Sequence, residues 1–147
     1  MKLLLIEDDD LKFGLLERFF QGVIPDVQIV RGASYQSGVH ELVHNAFDFV
    51  VLDITLPVSD LAQSPVGMEW LTFGGLYVLR ECKRRHISAS IVIVSQYGTF
   101  VRDNEEVSFE RLKAEILGMY GNIVVGCVHL DRSSDAWQQE INALILQ

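Results

Sequence analysis

A chain of 147 residues, 49% hydrophobic and 22% charged, is sized for one domain with a full hydrophobic core and is too apolar for disorder. Its formal net charge of −8 argues against a phosphate-backbone binder, which needs a basic face, and suits cations or basic partner surfaces. The two cysteines, Cys82 and Cys127, match no metal-binding spacing and fit a reducing compartment as free thiols.

The chain begins "MKLLLIEDDD", whose apolar run is too short for an export signal and stops at four acids. No stretch approaches the roughly 18 apolar residues of a membrane span. The expectation is a cytoplasmic protein that binds neither nucleic acid nor membrane.

In chain order, "KLLLIE" (2–7) reads as a first, continuously hydrophobic strand. "DLKFGLLERFFQGV" (10–23) follows as a helix with Leu11, Leu15, Leu16, Phe19 and Phe20 at helical spacing, broken at Pro25 and Asp26. "VQIVRGA" (27–33) is a second strand, and Ser34 caps a helix running to about Asn45. "FDFVVLD" (47–53) is the third strand.

Residues 54–74, with Pro57, Pro65, Gly67 and Gly74, read as an irregular stretch long enough to be functional or mobile. Its Met68, Trp70, Leu71 and Phe73 could form a lid or a docking patch, or extend the core. "GLYVLRECKRRH" (75–86) is a helix with Leu76, Leu79 and Cys82 inward and a basic end suited to the helix dipole. "SIVIVS" (90–95) is the fourth strand. "NEEVSFERLKAEILGMY" (104–120) reads as an amphipathic helix with Phe109, Leu112, Ile116 and Met119 on one side. "NIVVGCVHL" (122–130) is the fifth strand, and "SSDAWQQEINALIL" (133–146) the last helix, with Trp137, Ile141, Leu144 and Ile145 inward.

Five strands each followed by a helix imply a doubly wound α/β fold: a five-stranded parallel sheet covered on both faces. In such a sheet the carboxyl ends of the first, third and fourth strands meet at one crevice. Those ends carry Glu7, Asp8 and Asp9, then Asp53, then Ser95. Carboxylates so gathered repel one another unless a cation lies between them, and a hard divalent ion, Mg²⁺ foremost, suits an all-oxygen set. The reading expects this cup to be free of any inserted hydrophobic or basic side chain. The competing reading is that "EDDD" only caps the first helix, since acids favour helix amino ends.

The acidic pair after "LLLIE", the segment "VVLDITLP" and the segment "IVIVSQYG" together resemble the receiver domain of two-component response regulators, of the chemotaxis-regulator kind. Asp9 and Asp53 lie 44 residues apart, near that family's usual interval, and the resemblance spans nearly the whole chain. It implies a flavodoxin-like receiver topology, strand order 2-1-3-4-5, as a single domain over 1–147 with no output domain. It implies Asp53 as the phosphoryl acceptor, a carboxylate nucleophile forming an acyl phosphate. Asp8 and Asp9 would hold Mg²⁺ with Asp53 and the backbone carbonyl of Thr55, and Ser95 would hydrogen-bond the phosphoryl group. The implied donor is a sensor histidine kinase or phosphotransfer protein, and the output is contact with a downstream protein. Receivers often pair through their fourth and fifth helices, which leaves a homodimer open.

The sequence departs from the family at two positions and in two insertions, one after Pro57 and one at "TFVRDNEEVSF", both bordering the expected site. The lysine usual at the end of the fifth strand is missing, and none of the four lysines, Lys2, Lys12, Lys83 and Lys113, lies near that segment. By register His129 takes its place; a neutral imidazole donates one hydrogen bond but is no permanent cation, and Arg132 stands three residues on. The switch aromatic of the fifth strand falls at Gly126. These departures raise an alternative, a pseudo-receiver that works by phosphate-independent contacts. A third reading, a phosphohydrolase of the haloacid-dehalogenase kind, wants a second aspartate two positions after the nucleophile, where this chain has Thr55. A signalling domain rather than an enzyme is expected.

Overall fold

The computed structural model describes residues 1–60 and 70–145. Five parallel strands form the central sheet: β1 (Lys2–Ile6), β2 (Gln28–Gly32), β3 (Phe49–Leu52), β6 (Ser90–Ser95) and β9 (Val124–His129). Their spatial order is β2-β1-β3-β6-β9, with every neighbouring pair parallel. This is the expected 2-1-3-4-5 order of a doubly wound fold. Five helices cover the sheet: α1 (Asp10–Val23), α2 (Tyr35–His44), α3 (Gly74–Arg84), α4 (Phe109–Tyr120) and α5 (Ala136–Ile145).

The period of two along each strand divides the core into two layers. Leu4, Ile6, Val50, Leu52, Ile91 and Ile93 face α2, α3 and α4, meeting Leu42, Val78, Leu79 and Leu112. Leu3, Leu5, Val51, Val92, Val94 and Val128 face α1 and α5, meeting Leu16, Phe19, Phe20, Trp137 and Ile141. Each such side chain contributes roughly 1.5–3 kcal/mol by leaving water, so these two layers hold the sheet and fix where its strands end.

The helix starts follow from local chemistry. Asp9 caps α1, its carboxylate accepting from the N–H groups of Leu11 and Lys12. Ser34 and Ser37 form a reciprocal capping box on α2, and Ser108 caps α4 by accepting from Arg111 N–H.

The structure corrects the helix expected over 104–120. Residues Glu105–Ser108 instead form β8, which pairs antiparallel with β7 (Thr99–Arg102), and the helix begins only at Phe109. Asp103 and Asn104 have φ of 53° and 64°, the left-handed pair a two-residue hairpin turn requires. Phe100 and Val107 are buried while their strand neighbours are mostly exposed, so the segment has a strand's period, not a helix's. Met119 is accordingly exposed, and Tyr120 fills the inner face of α4.

The stretch 54–74 also carries a short antiparallel pair, β4 (Leu56–Pro57) with β5 (Trp70–Leu71). Of the four residues considered as a lid, Met68 lies outside the described residues. Trp70 and Leu71 are described by their backbone pairing. Phe73 packs on the core, its ring 6.1 Å from that of Phe100.

Candidate functional site

The carboxyl ends of β1, β3 and β6 meet because the sheet places β1 beside β3 and β3 beside β6. A cavity of about 160 Å³ opens there, lined by Glu7, Asp8, Asp9, Asp53, Thr55, Gln96 and Tyr97. Among the described residues, Glu7, Asp8 and Asp53 each bring a carboxylate oxygen within 4.8 Å of the other two. Glu7 and Asp53 are buried and Asp8 is half-buried.

A basic side chain lies directly behind this cup, against two of its acids, where the sequence reading expects none. Lys12, on the first turn of α1, is completely buried. Its Nζ lies 3.2 Å from Asp53 Oδ1, donates to the carbonyl oxygen of Val94 at 2.7 Å, and makes its shortest contact with Glu7 Oε1. An ammonium thus stands beside Asp53 although no lysine follows β9. Its signal was present in the sequence: Lys12, Leu16, Phe19 and Phe20 fall at i, i+4, i+7 and i+8, so Lys12 belongs to the inward stripe of α1.

One ammonium does not occupy the whole cup. Asp53 Oδ1 also accepts from Ile54 N–H at 2.8 Å, whereas Oδ2 makes no hydrogen bond or ion pair among the described residues. Glu7 is spent on Lys12 and, through Oε2, on the Asp9 N–H at 3.1 Å. The Asp8 carboxylate makes no hydrogen bond or ion pair with another side chain among the described residues, though it lies near the Glu7 and Asp53 carboxylates. Burial pushes the Glu7 carboxyl up to about 8, against the lowering pull of Lys12. Burial, then the neighbouring Asp53, raises Asp8 to about 6. Burial alone would lower the Lys12 ammonium, but Asp53 and Glu7 beside it outweigh that and hold it charged.

Asp9 stands differently from Asp8. Its Oδ1 accepts from the N–H groups of Leu11 and Lys12 at 2.9 and 3.1 Å, and those bonds, the Lys12 one foremost, hold its carboxyl pKa below the ordinary value. It lines the cavity but stands outside the carboxylate trio, where Glu7 takes the third place. Thr55 lines the cavity, and its hydroxyl donates to the Thr72 carbonyl at 3.0 Å. Ser95 is fully buried at the end of β6, its Oγ accepting from Tyr97 N–H at 3.2 Å.

His129 pairs in register with Ser95, but its ring Nε2 lies 3.2 Å from the Gln96 carbonyl and the ring rests 5.6 Å from Phe109. It is not among the residues lining the acidic cavity. Arg132 reaches the rim, donating to Gln96 Oε1 at 3.3 Å with Asp9 Oδ1 at 4.0 Å. At Gly126, where a ring was missing, a Cβ would lie 2.6 Å from Leu144 Cδ1, so α5 fills that space.

Arg31 on β2 went unnoticed in the sequence. Its guanidinium donates to the backbone carbonyls of Glu7 and Asp8, both at 3.0 Å, and pairs with Asp10 at 2.8 Å. It therefore fixes the loop that presents the acids. Nothing in the local sequence announces a strand arginine reaching across to a neighbouring loop.

The donor set is all oxygen, with Asp8 and one Asp53 oxygen uncommitted, which fits a hard cation such as Mg²⁺. Three carboxyls against one ammonium leave negative charge in excess at full ionisation.

This strand order with an acidic cup at the first and third strand ends is the receiver fold of response regulators. It superposes on the Francisella response regulator 1452 receiver domain with a TM-score of 0.65 at 18% identity, covering 97% of this chain and 94% of the other. TrrA of Thermotoga maritima, in complex with Mg²⁺ and BeF, matches at 0.61 and 16% identity, with 97% of each chain covered. In sequence the chain is 26% identical over 144 residues to the Detocs response regulatory protein DtcB of Enterobacter cloacae, 96% of this chain and 95% of that protein. It is equally 26% identical over 142 residues to the uncharacterized protein y4jR of Sinorhizobium fredii, covering 96% and 94%. No family model matches the chain.

Proposed function

We propose that this receiver-fold domain accepts a phosphoryl group on Asp53, with Mg²⁺, and signals through protein contacts. The observation that carries the reading is the state of Asp53: buried, held by Oδ1, and with Oδ2 uncommitted among the described residues of a cavity shared with Asp8. A lone pair of Oδ2 attacks phosphorus, the new O–P bond forms, and the bond from phosphorus to the donor breaks. The leaving nitrogen of a phosphohistidine or phosphoramidate donor keeps that electron pair and takes a proton.

Asp8 and the Thr55 carbonyl would hold the cation directly, with Asp53, Glu7 and Asp9 beside it, which leaves Asp53 Oδ2 to attack. Bound there, Mg²⁺ offsets the repulsion between an anionic nucleophile and an anionic donor. Ser95 stands at the neighbouring strand end as the candidate donor to a phosphoryl oxygen. The partners that fit are a sensor histidine kinase or phosphotransfer protein and a downstream protein, in the cytoplasm. The relatives named as response regulators support this reading.

The test is incubation with Mg²⁺ and phosphoramidate, with intact mass measured before and after. One phosphoryl increment on the wild type and none on Asp53→Asn is expected. No gain, or a gain that survives the substitution, rules the reading out.

A second reading has its own support. His129 is turned to Gln96, and Leu144 occupies the space at Gly126, so two parts that would relay phosphorylation are replaced. On this reading the domain is a pseudo-receiver, and a partner binds wild type and Asp53→Asn equally well.

A further inference from the structure

We infer that Lys12 is the positioning residue of the acceptor: from the first turn of α1 it supplies the buried ammonium that fixes Asp53 by Oδ1 and leaves Oδ2 toward the cavity. The inference rests on Asp53 being the acceptor and names how that residue is prepared.

Lys12 has no exposed surface, so its charge is sustained only by its partners. Its three N–H bonds have three acceptors, and each comes from a different strand end. Glu7 follows β1, Asp53 follows β3, and Val94 belongs to β6. A leucine or methionine at this point of the α1 stripe would fill the volume without desolvating a cation. What the lysine adds is a fixed charge against a carboxylate.

Two consequences follow for Asp53. With Oδ1 accepting from both Lys12 and Ile54 N–H, the carboxylate cannot rotate freely, and Oδ2 is left to react. The ammonium also offsets the negative charge of the two buried acids from behind the acceptor, and it is already oriented before any phosphoryl group arrives. No other cation among the described residues forms an ion pair with Asp53; Arg132 is held at Gln96 and the outer acid Asp9. The ammonium therefore reaches the acceptor through α1 and β6 and not through β9.

The experiment uses the full chain as wild type, Lys12→Met, Lys12→Met with Glu7→Gln, and Asp53→Asn. The double variant also removes the buried acid that Lys12 pairs with, so it folds where the single variant fails. Circular dichroism establishes folding. Phosphoryl uptake from phosphoramidate with Mg²⁺ is followed by intact mass, and Mg²⁺ affinity is measured separately by calorimetry.

Uptake slows about 100-fold in both Lys12 variants, because the acceptor carboxylate loses the group that orients it. Mg²⁺ binds about tenfold tighter to Lys12→Met, because a competing positive charge has left the cup, and near wild-type strength to the double variant. A lysine that only held the fold together would weaken both readouts or move neither. Wild-type uptake in either folded Lys12 variant, or slow uptake with weakened Mg²⁺ binding, overturns the inference. A wild type that takes up no phosphoryl group removes the acceptor reading beneath it, which is a different result from unequal variants of an active protein.

Discussion

Gly75 stands so close to Asp53 that a Cβ on it would overlap the Asp53 carbonyl oxygen and lie 2.9 Å from the Cα of Ile54. Its own N–H donates to the Ile54 carbonyl at 2.8 Å. The amino end of α3 is thus pressed onto the backbone that carries the acceptor, and only a residue without a side chain permits it. The neighbour is main chain and cannot yield as a flexible side chain would.

Gly75→Ala should therefore destabilise the domain by about 2–3 kcal/mol, the range for overpacking a filled interior. Urea unfolding followed by circular dichroism measures it. A midpoint within error of wild type would mean that α3 can slide without cost, and that the tight contact does not set the position of Asp53.

The buried trio of Lys12, Glu7 and Asp53 gives a stability prediction distinct from its chemistry. Lys12→Met leaves two acids buried without their cation and should cost about 3–5 kcal/mol. Adding Glu7→Gln should return part of that loss at alkaline pH, because the amide never takes up the buried charge that Glu7 would carry there. Denaturant titrations of both variants in the absence of Mg²⁺ decide it. If the double variant is less stable than the single one, Glu7 contributes through something other than its pairing with Lys12.

The raised acids make the metal-free domain sensitive to alkali. The unfolded chain releases the Glu7 proton near its ordinary 4.5, while the folded domain holds it to about 8. Between those values the folded state binds the extra proton, so stability falls as pH rises through that window. Asp8, raised from 3.8 to about 6, adds a contribution of the same sign at the acidic end. In EDTA the melting temperature should be higher near pH 6 than above about pH 8, and Glu7→Gln should flatten that slope. Mg²⁺ should restore more stability at the alkaline end. A melting temperature that rises across the window contradicts the assignment.

The β7–β8 turn offers a test far from the acids. Asn104 has a φ of 64°, which asparagine tolerates and a β-branched residue does not. Asn104→Val should cost about 1–2 kcal/mol, and Asn104→Gly should be neutral or mildly stabilising. Thermal melts of the two variants check the pair. Equal melts would remove the left-handed turn as the cause of the hairpin.

Local sequence and tertiary placement part at particular residues. Glu105 and Glu106 in "NEEVSF" look like a helix start, whereas Asp103 and Asn104 carry a turn whose conformation is stronger evidence than acidity. Asp9 and Asp8 are adjacent in the chain, but α1 takes Asp9 as its cap while Asp8 faces Glu7 and Asp53. Lys12 lies far along the chain from "GCVHLDRSSD", yet its ammonium reaches Asp53.

What the amino-acid order alone determined was the architecture and the gathering of acids. Hydrophobic runs of strand length alternating with helical stripes leave one economical way to bury both faces of a parallel sheet, and strand-end residues of its neighbours must then converge. Only the tertiary structure decided which charges face each other inside that crevice. Sequence separation does not measure distance in a wound sheet, and the choice among Glu7, Asp8, Asp9 and Lys12 depends on helix phase and capping, which packing alone resolves.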